Sequence, residues 1–586
     1  MALEEPIDET DSTLKEISTI FKVPIFYNKD KRELNPTIIN DLEMSESYDP
    51  SYNPIKSFVF NSNSENKFSQ RIGDDLIKYY TTDITYLKDT QQVLNTYLPI
   101  HERDTHTSHS NMMRNVWHEL KSDTGFKEKY HYVDWTQIEF LNNSEIFLQT
   151  MSIYNLLSPL VSFLTPIIIV ILPFLMMKLQ GIKVDLTQYT QIFKSLLKNN
   201  ALGRLFVDFN NVSPKDKMVI LISAAFYVLS IYQNVLVCIR FNSNMIKIHK
   251  YITDIAKYLE YSLKNMTNYL KFSGELATQQ TFNECLQTHI KVLDEIKLKL
   301  NTISEYKLTF SKVGEIGKVM KYFYELHNNT TYNDSIVYSF GFNGYIDCLE
   351  GMIENITDKK LQFCTFQKKT YKKNKKTILT KSYYAPLKDT THVKNTIKLT
   401  KNLIITGPNA SGKTTILKTI LINIICSQQF GCGFYKTADI TPFDFIHCYL
   451  NIPDTSGRDS LFQAEARRCK EIIDIVNENK KSTHLCVFDE LYSGTNPDEA
   501  VSSSTSLMKY LIKYKSLTCL LTTHFTAVCT NLDNEPNLEN VHMDATKSGV
   551  NIEYTYKVKK GISIVKGGAN VLHNLDYPKE ILSEFL

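Results

Sequence analysis

The chain has 586 residues, 43% of them hydrophobic and 22% charged, which excludes a disordered, collagen-like or low-complexity polypeptide and leaves room for roughly two to four domains. Its formal net charge of +3 is close to neutral for this size, so no global field points to nucleic acid and any basic surface is local. Eleven cysteines lie between Cys238 and Cys529 without a Cys-x-x-Cys pair, a usage that fits reduced thiols and speaks against a disulfide framework or a zinc site.

The opening residues MALEEPIDETD are acidic and lack the basic and apolar regions of a secretory signal, so none is expected. Residues 1–130 mix polar, Asn-rich loops with one helical pattern, in which Ile72, Leu76, Tyr80, Ile84, Leu87 and Leu94 keep near-3.6-residue spacing, and a mostly helical region is predicted.

The composition then changes. Leu156–Met177 reads LLSPLVSFLTPIIIVILPFLMM and Met218–Ile239 reads MVILISAAFYVLSIYQNVLVCI, each 22 residues without a charge. At about 1.5 Å per residue such runs match a hydrocarbon core of roughly 30 Å, so both are candidate transmembrane helices within a segment 131–245. The alternative is a pair of buried core helices, and Pro159, Pro166 and Pro173 would kink any helix made from the first run. Two spans return both flanks to one side. The connecting residues 178–217 hold seven Lys/Arg against three Asp, and that bias favours the opposite side for the loop. A shallow hairpin, or a loop lying on an anionic interface through YTQIFKSLLKNNALGRLF, would relieve the conflict.

Ile248, Ile252, Ile255, Leu259, Leu263, Met266 and Leu270, and then Leu286, Ile290, Leu293, Ile296, Leu300 and Ile303, predict two long amphipathic helices joined by KFSGELATQQ, a helical arm over 246–365. Residues 367–381, QKKTYKKNKKTILTK, hold seven lysines and are expected to form a solvated hairpin or linker ahead of a new domain, with phosphate or anionic lipid as the alternative contact.

That domain, 366–586, opens its chemistry with TGPNASGKTT. An apolar β-branched stretch precedes it and a helix-forming TILKTILINIIC follows, so a glycine-rich turn leads from a strand into a helix N-terminus. In that setting the backbone of Gly407, Pro408, Asn409, Ala410, Ser411 and Gly412 faces phosphate oxygens, Lys413 reaches the outer phosphates, Thr414 holds Mg²⁺ and Thr415 completes the loop. ATP or GTP with Mg²⁺ is the implied ligand. HLCVFDEL supplies a buried strand ending in Asp489, a metal-side carboxylate, and Glu490, placed to polarise an attacking water. LTCLLTTHF is a further apolar strand ending in His524.

Between and after these lie NIPDTSGRDSLFQAEARRCKEII and LYSGTNPDEA. Together with TGPNASGKTT they resemble the MutS family, whose ATPase module pairs a T-G-P-N-x-x-G-K-[ST]-T loop with a S-x-F-x-x-E signature, a D-E-[LI]-x-x-G-T segment and a T-T-H switch. The matching residues are Ser460, Phe462 and Glu465, then Ser493 to Asn496, then Thr522 to His524. Gln429 in SQQFGCGFYKTADI falls where the family has a conserved glutamine, and YTYKVKKGISIVKGGANVLHNLDYPKEIL is similar to its closing pattern.

The resemblance implies an α/β P-loop, ABC-type ATPase domain at the C-terminus, joined to a mainly α-helical core and lever region that carries the two apolar runs. It implies ATP hydrolysis with catalytic Glu490, His524 as γ-phosphate sensor and Ser460 acting in trans, and hence a homodimer or MutS-like heterodimer. It also implies DNA as partner in mismatch repair or related DNA maintenance.

The sequence departs from the family in three places. A Phe-Tyr-Glu triplet at Phe323–Glu325 sits mid-chain in a helical run rather than in the N-terminal motif that stacks on a mispaired base, and is read as coincidence. The apolar hairpin falls where a helical core should turn back, and Asn409-Ala410-Ser411 stands where the family often has Asn-Met-Gly. The second expectation is therefore a membrane-anchored MutS-like ATPase, its ATPase domain facing the cytosol, acting on a membrane partner or a non-mismatch target; otherwise a cytoplasmic or nuclear protein. A transporter subunit fits less well, because only two spans are present and the signature is Ser-x-Phe-x-x-Glu.

Overall fold

The computed structural model describes residues 12–62, 65–122, 124–181, 185–199, 213–304, 313–367, 377–450, 460–548 and 551–565, with positions 203–204, 209, 567, 571–573 and 575–578. Most of the lysine run, the first half of the signature segment and most of the closing pattern lie outside the described residues.

The described helices in chain order are α1 (Ser12–Ile20), α2 (Pro36–Asp41), α3 (Ile55–Phe60), α4 (Lys67–Ile77), α5 (Ile84–Thr96), α6 (Arg103–Ser122), α7 (Phe126–Lys129), α8 (Glu145–Leu179), α9 (Leu186–Asn199), α10 (Pro214–Ser273), α11 (Gln280–Leu300), α12 (Ile316–Asn328) and α13 (Thr330–Thr357). The strands up to the P-loop are β1 (Lys31–Glu33), β2 (Tyr79–Thr81), β3 (Gln362–Phe366), β4 (Thr377–Ser382), β5 (Asn395–Leu399) and β6 (Asn402–Thr406). Then come α14 (Lys413–Phe430), β7 (Cys432–Gly433), β8 (Thr437–Ile440), β9 (Phe445–Tyr449), α15 (Leu461–Glu478), β10 (His484–Asp489), α16 (Pro497–Leu511), β11 (Leu517–Thr522), α17 (Thr526–Asn531), β12 (Leu538–Ser548) and β13 (Asn551–Lys560).

Two compact units interleave along the chain, one of Met1–Asn111, Ser262–Lys291 and Ser335–Leu586, the other of Met112–Tyr261 and Val292–Asp334. The expected consecutive division at 130, 245 and 365 differs from this grouping, in which residues 12–111 pack with Ser335–Leu586. Arg32 pairs with Asp444 at 3.3 Å and Lys418 with Glu43 at 2.9 Å. Gln91 donates to the Gly431 carbonyl at 2.7 Å.

In the first unit a six-stranded sheet runs β13-β12-β6-β11-β10-β9, with β12, β6, β11, β10 and β9 parallel and β13 antiparallel to β12. The register sets Asp489 opposite Thr522 and Thr522 opposite Ile405, so three strand ends meet at one edge of the sheet. Near-continuous apolar strands such as Leu485–Phe488 are what a parallel sheet covered on both faces requires. A second sheet, β5-β4-β8-β3-β7, lies in the same unit, and residues 377–381 of the lysine-rich run form strand β4 rather than a solvated linker.

Helix α13 approaches the N-terminal helices closely because its sequence FGFNGYIDCLEG carries glycines. A Cβ added at Gly351 would stand 1.6 Å from the Phe60 carbonyl oxygen, and one at Gly344 would stand 2.7 Å from that of Phe68. The single helical pattern expected across Ile72–Leu94 is two helices. Tyr79–Thr81 pairs with β1, and Asp83 then caps α5 by accepting from the Thr85 and Tyr86 amides.

In the second unit Phe323 is fully buried among Phe126, Tyr130 and Tyr251, with ring centroids 5.4, 5.0 and 6.4 Å away. The Phe-Tyr-Glu triplet is thus part of the core face of α12. Helix α8 is continuous through all three of its prolines. It pairs antiparallel with α10, since Tyr227 and Asn234 both reach Ser162, and Cys238 reaches Leu156.

Candidate functional site

The turn between β6 and α14 takes its shape from two left-handed residues, Ala410 at φ 61° and Gly412 at φ 91°, the latter being the N-cap of α14. A Cβ at Gly407 would meet the Ser411 hydroxyl at 2.7 Å, so the loop closes tightly on itself. Ser411 Oγ is buried without a hydrogen-bond partner, and amide groups at the start of an 18-residue helix favour an anion.

Lys413 is buried, and its ammonium donates to the carbonyls of Gly407 at 3.2 Å and Pro408 at 3.3 Å. Burial pulls its pKa below the usual lysine range, while Glu490, 3.6 Å away, acts in the opposite sense. His524 Nε2 stands 2.8 Å from Glu490 Oε1 and 3.1 Å from Lys413 Nζ. One ring nitrogen cannot both donate and accept. Since Lys413 already has two carbonyl acceptors, the consistent assignment has Nε2–H donating to Glu490. That hydrogen bond is the largest cause holding the Glu490 carboxyl below its ordinary pKa.

Asp489 ends β10, accepts from Thr414 Oγ1 at 2.6 Å and accepts from the Thr522 hydroxyl as well. Burial raises its pKa despite these two donors. Threonine hydroxyl and carboxylate are hard oxygen donors in contact, and they fit Mg²⁺, which is ordinarily held by one or two protein oxygens together with phosphate and water. Glu490 itself has φ 49°, a left-handed conformation fixed by its amide donating to the Thr522 carbonyl at 3.2 Å and hydroxyl at 3.1 Å. This conformation costs of order 1–3 kcal/mol and aims the carboxylate at Lys413 and His524 instead of along the strand.

Lys413, Thr414 and Glu490 border a cavity of about 570 Å³, lined on the loop side also by Asn409, Ala410, Gly412 and Thr415. The rest of the wall includes Tyr383, Tyr384, His392, Met543 and Tyr556, with His392 stacked on Tyr383 at 4.2 Å and with Met543 and Tyr556 close beside Gly412. Sequence reasoning missed this wall. Its residues come from the β4–β5 connection and from β12 and β13; only Tyr556 falls in a motif, the closing pattern, and the aromatic pair SYYAPL was the other hint.

Ser460 and Gln429 stand apart from the cavity. Ser460 caps α15 in a reciprocal capping box with Gln463 and is exposed. The rest of its motif is anchored: Phe462 packs on Tyr492 at 5.4 Å, and Glu465 accepts from Ser493 Oγ at 3.3 Å and the Gly494 amide at 3.4 Å. Gln429 does not take the cofactor-binding place expected of it. It lies at the far end of α14, about 24 Å along the helix from Lys413 by its rise per residue. There it is buried and donates to the Ile77 carbonyl at 2.8 Å. Among the described residues no cluster of His, Cys, Asp and Glu forms a metal centre of its own, and all eleven cysteines are free thiols.

Residues 403–585 match the family model of MutS domain V. Similar curated proteins include "DNA mismatch repair protein MSH3" of Yarrowia lipolytica, 28% identical over 197 residues that cover 33% of this chain and 19% of that protein. "MutS protein homolog 4" of Homo sapiens is 34% identical over 169 residues, 28% of this chain and 17% of that protein. "DNA mismatch repair protein MutS" of Bacillus subtilis is 30% identical over 185 residues, 31% of this chain and 21% of that protein. The chain thus spans about a fifth of the length of these relatives, and the likeness to the MutS family rests on the part that holds the cavity.

Proposed function

We propose that this chain is a MutS-type ATP hydrolase that works as a dimer. The carrying observation is that Lys413, Thr414 and Glu490 line one cavity large enough for a nucleotide, with Asp489 bonded to Thr414 and His524 to Glu490. The P-loop amides and Lys413 bind the phosphate chain, and the aromatic wall of Tyr383, His392 and Tyr556 receives the base. Mg²⁺, held through Thr414 and Asp489, supplies charge stabilisation on the phosphate oxygens. Glu490, ionised and oriented by His524, takes a proton from water as the water oxygen bonds to the γ-phosphorus and the bond to the β-phosphate oxygen breaks, leaving ADP and phosphate.

Ser460 is exposed and away from its own cavity, so it completes the site of a second copy. ATP would then govern dimer closure through contacts made only with the γ-phosphate present. The names of the relatives point to DNA mismatch repair, and we assign DNA in mismatch repair or related maintenance as the partner of the first reading. ATP hydrolysis by the purified chain, measured with and without heteroduplex and branched DNA over a salt series, tests it: DNA-stimulated turnover with steep salt dependence supports the reading. Hydrolysis indifferent to DNA refutes the DNA part, and no hydrolysis refutes the whole.

A second reading keeps the ATPase and seats the chain at a membrane, its ATPase domain on the cytosolic side. It is favoured by α8 and α10, the two described helices long and apolar enough to cross a bilayer.

A further inference from the structure

We infer that α8 and α10 form a two-helix hairpin that crosses a lipid bilayer, with Tyr227, Asn234 and Cys238 turned inward between the helices and the tip 178–217 on the far side. This rests on the second reading above and deepens it by naming the topology and the solvent of the hairpin.

The apolar side chains of the hairpin face outward. Phe163, Leu172, Met176, Phe226, Val228 and Ile239 are each about half or more exposed, and only 17% and 6% of the two most apolar windows is buried. Three polar side chains of α10 turn inward, toward α8. The Tyr227 hydroxyl donates to the Ser162 carbonyl at 2.8 Å, Asn234 donates to the Ser162 hydroxyl, and Cys238 Sγ lies 3.7 Å from the Leu156 carbonyl. Other hydroxyls are satisfied by their own helix: Ser158 on Asn155 at 3.1 Å, Thr165 on Val161 at 2.7 Å and Ser223 on Val219 at 2.9 Å. Among the polar groups of the band, Thr165, Ser230, Tyr232 and Gln233 lie on the outside.

A helix pair in water has the reverse arrangement, since burial of apolar surface drives its packing. With hydrocarbon as solvent there is no such drive, and side-chain hydrogen bonds between helices hold the pair. Exposure on the outward surfaces of both helices also argues against a protein partner, which covers one face, and in favour of lipid, which surrounds.

Length and charge agree. The uncharged runs of 22 residues end at Lys178 on one helix and begin after Lys215 and Lys217 on the other, while Arg240, within α10, closes the opposite end of the second run. Because the helices are antiparallel, Lys178, Lys215 and Lys217 fall together at one end of a band about 33 Å long. At that tip α9 packs Tyr189 against Phe174 at 4.7 Å and leaves Lys194 exposed. With seven basic residues against three acidic ones, the tip matches an anionic headgroup surface. Positive charge in a short loop opposes translocation, so sidedness is the decisive measurement.

The full chain is synthesised with vesicles of phosphatidylcholine and phosphatidylserine, floated, washed with carbonate and probed with a membrane-impermeant maleimide after a Thr190→Cys substitution, with the parent chain as background. The expected result is carbonate-resistant flotation, with Cys at position 190 labelled only after detergent. In a Phe226→Asp, Leu229→Asp variant flotation falls about tenfold or more while nucleotide binding, the control for folding, persists. Failure of the parent to float, with the chain a soluble dimer or higher oligomer, overturns the membrane reading together with this inference. Flotation with immediate labelling at position 190 overturns the spanning hairpin alone and leaves a re-entrant membrane anchor. Flotation unchanged in the double Asp variant also overturns it.

Discussion

Helix α14, which follows the phosphate-type loop, and helix α10 are built from the same kinds of side chain and meet opposite surroundings. In α14, TILKTILINIIC presents Ile420, Leu421, Ile422, Ile424 and Ile425, all with no exposure, because the two sheets and the N-terminal helices of the first unit enclose it. In α10, MVILISAAFYVLSI leaves Phe226 67% and Val228 64% exposed. A hydropathy pattern that surrounds a helix states that water is absent from every face without stating what replaces it. In α14 protein does so, down to Asn423, whose Oδ1 accepts from the Phe434 amide at 2.6 Å and whose Nδ2 donates to Thr419. The hairpin presents the same amide chemistry turned inward, with Asn234 on Ser162.

The largest expected effect separates the two directly. Leu421→Asp places an unpaired carboxylate in the ATPase core and costs several kcal/mol, enough to unfold the unit, whereas Leu229→Asp on the outer face of α10 leaves ATP binding by the detergent-solubilised chain intact. Thermal unfolding of both variants followed by nucleotide binding checks this, and equal losses would dissolve the distinction.

Next in size is chemistry. Glu490→Gln keeps the hydrogen-bonding shape but cannot take a proton, so turnover drops by about 10²–10⁴ with ATP affinity retained and the dimer trapped, as read by single-turnover hydrolysis and size-exclusion chromatography with ATP. Gly494→Val should follow. Its side chain would begin 2.7 Å from Leu461 Cγ and displace α15, costing about 1–3 kcal/mol and lowering turnover more than ATP binding.

Ser460→Ala removes a cap worth about 0.5–2 kcal/mol, and in mixed dimers with the parent chain it lowers hydrolysis at the parent's site as well. A monomeric enzyme would show only the stability loss. The smallest effect is on pH. Metal binding needs the Asp489 carboxylate, whose pKa burial raises, so Mg²⁺ affinity in the presence of ATP falls on acidification at a higher pH than for an exposed aspartate. Titration calorimetry across the acidic range measures it, and Asp489→Asn removes the dependence along with the metal.

Much of the candidate site's local structure was legible because its pieces are short. The loop 407–415 lies between a strand and a helix where the sequence predicts them, and the DE pair and His524 each end an apolar strand. Gln429 misled because its place in the family block says nothing of distance, and an 18-residue helix carries it to the other end of the unit. The aromatic wall was invisible for the complementary reason. Tyr383, His392, Met543 and Tyr556 are spread over more than 170 positions and converge only through sheet pairing.

The sequence by itself determined a phosphate-binding loop with its metal-side and water-side carboxylates, and two uncharged runs of bilayer length, because backbone turns, strand ends and helix rise depend on neighbours within a few residues. Tertiary structure alone decided that residues 12–111 join the unit that holds the cavity and that His524 lies beside Lys413 while Ser460 stands outside the cavity. It alone also turned Tyr227, Asn234 and Cys238 of α10 inward, toward α8. Those outcomes depend on which surfaces distant segments cover, and periodicity along a chain carries no record of that.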